Sequence, residues 1–82
     1  MRVLVVDDSP DVFLLCRLTL EREGWAVSGA ADGRAGVDAV DRESPDVVLL
    51  DMMMPDYDGF FFLDQLRRRA DGDEPPVVVL SA

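Results

Sequence analysis

The stretch Val47-Val48-Leu49-Leu50-Asp51 most restricts what this chain can fold into. Four apolar residues in a row are too few for a helix and, with two β-branched valines among them, form a strand buried on both faces. A carboxylate stands at the tip of that strand. Behind it, Met52 to Gly59 place Pro55 and Gly59 among further acids, so neither strand nor helix continues.

The same pattern recurs along the chain. Val3 to Val6 ends in Asp7-Asp8, and Val77 to Leu80 ends in Ser81-Ala82. Trp25 to Ala30 is a weaker alternating run, carrying Ser28, Gly29 and Ala30, which suits the edge of a sheet. Helices fit between these strands. Ser9-Pro10 opens the first, with Val12, Phe13, Leu15, Cys16, Thr19 and Leu20 as its apolar stripe and Gly24 as its stop. Asp32 caps the second, whose stripe is Gly36, Val37 and Val40, before Ser44-Pro45 ends it. The third starts at Asp58-Gly59 and is expected to bury Phe60, Phe62, Leu63 and Leu66, with Phe61 half-exposed or touching a partner. It ends in a solvated Arg67-Arg68-Arg69, and a loop over residues 71–76 follows. This alternation predicts one α/β domain, a parallel sheet with helices on both faces.

Composition narrows the chemistry. At 82 residues there is room for one domain. Seventeen acids face eight arginines and no lysine, for a net charge of −9. Nucleic acid and anionic membranes are therefore excluded as partners, and cations and basic protein surfaces are favoured. The single cysteine, Cys16, reads as a small core residue, and with no histidine present a zinc site is excluded. No apolar run is long enough for a signal peptide or a membrane span, which makes the expected location cytoplasmic.

The polar groups at the strand tips carry the functional argument. In a sheet where the first and third strands are neighbours at the switch in strand order, Asp7, Asp8 and Asp51 share one crevice. Three close carboxylates repel one another unless a cation lies between them. Mg²⁺ is the expected ion, because it takes one or two carboxylates, keeps waters and leaves positions for phosphate oxygens.

With its acidic pair after the first strand, Asp51 ending the third, Met54-Pro55, Asp58-Gly59 and a hydroxyl residue after the fourth, the chain resembles the receiver domain of two-component response regulators. That resemblance implies a flavodoxin-like three-layer sandwich of strand order 2-1-3-4. It implies that Asp51 accepts a phosphoryl group from the phosphohistidine of a sensor histidine kinase or a phosphotransfer protein. Asp8, Asp51 and the backbone carbonyl of Met53 would hold Mg²⁺, and Asp7 would act through a bound water. Ser81 would hydrogen-bond the phosphoryl oxygens as a switch, with small Ala82 leaving access beside it. The Met53 side chain would face the site. Such a domain is a phosphorelay module, at most phosphorylating and dephosphorylating itself, and not an enzyme in the ordinary sense.

Complete receiver domains also have a fifth strand bearing a lysine, with helices flanking it. Residues 1–82 are accordingly expected to be a single incomplete receiver domain lacking that strand and those helices, with the fourth strand an exposed edge open to self-association. The alternative expectation is a truncated or degenerate receiver that acts as an interaction module without phosphorylation. Other readings fit less well. A flavodoxin needs a phosphate-binding loop where Asp8-Ser9-Pro10-Asp11 stands, a haloacid-dehalogenase-type phosphatase needs an acid at Met53, and the Gly-Lys signature of a P-loop NTPase is missing.

Overall fold

The computed structural model describes residues 1–69 and 74–81, the last of these through its backbone. Strands and helices alternate as β1 (Arg2–Val6), α1 (Pro10–Glu21), β2 (Ala26–Ala30), α2 (Gly33–Glu43), β3 (Val47–Asp51), α3 (Gly59–Arg67) and β4 (Val77–Ser81). The four strands form one parallel sheet in the order β2-β1-β3-β4, as the sequence predicts. The expected loop over residues 71–76 falls partly outside the described residues. So does Ala82.

Each helix starts where a short polar side chain meets its free N–H groups. The Ser9 hydroxyl accepts from Val12 N–H, the Asp32 carboxylate from Ala35 N–H and the Asp58 carboxylate from Phe61 N–H. Pro10 fits the first turn of α1, where an N–H would have no helical partner.

The main core lies on one face of the sheet. Leu4, Val6, Val48 and Leu50 point there and meet Ala39 and Val40 of α2, Phe62 and Leu66 of α3, and Met52 and Met54 of the following loop. By strand alternation Val3 and Val5, also buried, face the opposite side, where α1 lies over β2 and Phe13 closes on Gly29.

Three expectations are corrected. On α1 only Val12, Phe13, Cys16 and Leu20 of the predicted stripe are half-buried, while Leu15 and Thr19 are exposed beside Leu14 and Leu18. The helix touches the sheet along a narrow strip, and no described element covers its other side. On α3 Phe60 is 67% exposed, whereas Phe62 is fully buried. The inward face runs through Gly59, Phe62 and Leu66, at helical spacing, and Phe60 falls outside it. Phe61 is half-buried against Tyr57, with ring centroids 4.8 Å apart. Arg69 is not a solvated helix end: its guanidinium pairs with Asp41 of α2 at 3.0 Å and ties the two helices together.

Candidate functional site

The carboxyl edge of the sheet gathers the acids. Asp7 leaves β1 with its N–H still bonded to Ala30 O of β2, at 3.0 Å, so the residue is held in line with the sheet. Its Oδ1 accepts the Ser9 N–H at 2.8 Å, folding the chain back toward the start of α1. Asp8 is exposed beside it. Asp51, the last residue of β3, is only 8% exposed, and its Oδ1 accepts the Met53 N–H at 3.1 Å. One carboxylate oxygen from each of Asp7, Asp8 and Asp51 lies within 4.8 Å of the others.

This donor set suits a hard divalent cation. Oxygens on opposite sides of a Mg²⁺ ion are about 4.2 Å apart, so carboxylate oxygens this close could share one ion, two of them directly and the third through a bound water. The electrostatics agree: burial raises the Asp7 pKa above its ordinary 3.8, the Ser9 N–H partly opposes this, and the neighbouring Asp51 and Asp8 charges raise it further. A cation relieves both the burial cost and the repulsion.

β4 completes the edge. A bulge between Val79 and Ser81 leaves Leu80 without a partner and brings Ser81 into register with Asp51. Bulges of this kind re-aim residues next to functional sites. The switch role expected of the Ser81 side chain falls outside what is described. Met53 is 69% exposed, so its side chain lies open to solvent two residues after Asp51. Asp58 caps α3, and Asp56 is an exposed loop residue in the left-handed region at φ 64°, as their capping and loop roles require. Beside Asp7 and Asp8 a cavity of about 300 Å³ opens over Pro10, Phe13 and Ala31, and Asp51 is not part of its wall.

Two residues near the site were not legible as part of it. Tyr57 offers its carbonyl to Gly33 N–H at 2.6 Å, and Gly33 is buried. The one signal available was a glycine directly after the capping Asp32, which a helix start explains equally well.

Both the order of the sheet and the acids at its edge are those of receiver domains, and the comparisons agree. The model of the response regulator receiver domain matches residues 3–82, and the chain belongs to this family. It is 42% identical over 80 residues to the probable transcriptional regulatory protein TcrX of Mycobacterium tuberculosis, covering 98% of this chain and 33% of that protein. It is 43% identical over 82 residues to the response regulator MprA of Mycolicibacterium vanbaalenii, covering 100% of this chain and 35% of that one. Among solved structures, the N-terminal domain of a response regulator receiver protein from Methanoculleus marisnigri superposes with a TM-score of 0.89 at 35% identity, over 95% of this chain and 63% of that one. The chain thus has the flavodoxin-like fold of receiver domains and spans about a third of the length of the two relatives.

Proposed function

We propose that this chain is a phosphoacceptor whose Asp51 takes a phosphoryl group from the phosphohistidine of a sensor histidine kinase or phosphotransfer protein. The observation that carries the reading is the meeting of Asp7, Asp8 and Asp51 oxygens within 4.8 Å at the carboxyl edge of a receiver-type sheet. In the step itself an Asp51 carboxylate oxygen forms a bond to phosphorus. The phosphorus–nitrogen bond breaks, and the imidazole leaves with its electron pair. The product is an acyl phosphate on Asp51.

Positioning and charge do most of the work in such a transfer. Asp51 is held by its place at the end of β3 and by the Met53 N–H on its Oδ1. Asp8, Asp51 and the Met53 carbonyl would hold Mg²⁺, with Asp7 acting through water. When bound, the ion supplies positive charge to the phosphoryl oxygens. Ser81, in register with Asp51, would donate its hydroxyl to the same oxygens. Histidine kinases phosphorylate their receivers in the cytoplasm, and the same reading puts this chain there. The domain is a relay component with, at most, self-phosphorylating and self-dephosphorylating activity.

The chain contains no lysine, so no lysine side chain within it can pair with the phosphoryl group. We therefore expect slow, partial labelling by a small phosphodonor, dependent on Mg²⁺, confined to Asp51 and lost in Asp51→Asn, with intact mass as the readout. A label that persists in Asp51→Asn, or no label at all, refutes the proposal. The second reading, an interaction module without phosphorylation, draws on Val78, Val79 and Leu80 exposed along β4. It predicts neither Mg²⁺ binding nor labelling. Trp25 precedes β2 at the opposite edge of the sheet, so its emission is a poor reporter and calorimetry is the better probe of Mg²⁺.

A further inference from the structure

We propose that Gly33 is a positioning residue for the acidic site, seating the first turn of α2 directly on the loop that holds Asp51 and Met53. Gly33 N–H donates to Tyr57 O at 2.6 Å, a short bond between the start of α2 and the residue before the α3 cap. The approach is so close that a Cβ on Gly33 would lie 2.5 Å from Asp58 O and 2.9 Å from Tyr57 O. Both neighbours are backbone atoms, so no side-chain rotation relieves the clash. Any larger residue pushes the loop away from α2.

The displaced atoms lead straight to the site. Asp58 is the cap of α3, and the next residue, Gly59, donates its N–H to Met52 O at 3.2 Å. A Cβ on Gly59 would in turn meet Met52 Cα at 2.6 Å and Asp51 O at 3.0 Å. The loop is thus clamped at two bare Cα atoms, with Gly33 pressing from outside and Gly59 fitting against the end of β3. Between them the chain 52–58 has little freedom to shift without moving Asp51 or breaking the Met53 N–H bond to it. Arg34 adds a lighter contact at the same junction, its guanidinium 5.8 Å from the centre of the Tyr57 ring.

The inference rests on the phosphoacceptor reading only where metal affinity is concerned. Gly33→Ala is compared with Val40→Ala, which lies on the same helix, loses core packing and is remote from the junction. Two quantities are measured: amide hydrogen exchange of Gly59 and Met53 without metal, and Mg²⁺ affinity by calorimetry on the folded fraction. In Gly33→Ala those two amides should exchange several-fold faster than in Val40→Ala at matched global stability. Mg²⁺ affinity should fall about tenfold, the usual scale for residues that orient metal ligands, and should hold in Val40→Ala. Equal behaviour of the two variants overturns the proposal. If the wild-type chain binds no Mg²⁺, the phosphoacceptor reading falls, and the metal-free exchange comparison still decides on Gly33. If Gly33→Ala does not fold, Arg34→Ala, at an exposed position, takes its place: faster exchange at Gly59 upholds the clamp, and unchanged exchange overturns it.

Discussion

At the scale of single residues, the ionised Asp7 carboxylate works against folding. Asp7 has a raised pKa because it is partly buried and lies near two other carboxylates, and the Ser9 N–H only partly offsets this. Between the unfolded value of 3.8 and the raised native one, the folded chain binds more protons than the unfolded chain. Stability from this group is therefore highest below that window and falls as pH rises through it. Asp7→Asn removes the penalty. In urea unfolding without divalent ions, the variant should be more stable than the wild type at neutral pH, and the difference should vanish below about pH 3.8. Added Mg²⁺ should stabilise the wild type more than the variant. A variant less stable than the wild type at neutral pH without metal would show that the Ser9 hydrogen bond outweighs burial and repulsion.

At the scale of elements, α3 gives a sharp contrast within three consecutive phenylalanines. Phe62 is wholly enclosed by the core cluster, and its replacement by alanine should cost about 3–5 kcal/mol. That is a large share of the roughly 5–15 kcal/mol by which native proteins are stable, so Phe62→Ala is expected to be largely unfolded by circular dichroism. Phe60→Ala, at an exposed site, should change stability by less than about 0.5 kcal/mol. Reversal of that order would refute the packing described. The same helix shows what can be read without a structure. The strands and the three acids were legible because short apolar runs buried on both faces read as parallel strands and the acids stand at their ends, whereas the strand order came from the resemblance to receiver domains. Phe60 was misplaced because three like residues in one turn carry no phase, and the phase was set instead by Gly59 fitting against Met52. Leu15 was misplaced because an apolar stripe tells what a helix can bury and not how wide a surface it meets. Gly33 and the Arg69–Asp41 pair depend on contacts between distant segments, which no local pattern encodes.

At the scale of the whole molecule the two sides of the sheet are unequal. The side with α2 and α3 holds the closed core, whereas on the α1 side Val47 and Leu49 are only half-buried, and Val78, in register with Leu49, is 51% exposed. Among the described residues β4 pairs on one edge alone, with β3, so its other edge presents unpaired backbone groups next to exposed Val79 and Leu80. Such an edge is a template for another strand, and a lysine on it is a common natural safeguard. As an isolated polypeptide, residues 1–82 are expected to self-associate through β4. Its net charge of −9 opposes that association, since two copies repel, so the tendency should grow as salt screens the charge. Sedimentation velocity should show species larger than a monomer whose share rises with both protein concentration and ionic strength. Val78→Lys, at a site open enough to accept the change, should return the chain to monomer while leaving Mg²⁺ affinity as it was. A wild-type chain that remains monomeric at high salt, or a variant that assembles as readily as the wild type, would exclude the β4 edge as the contact.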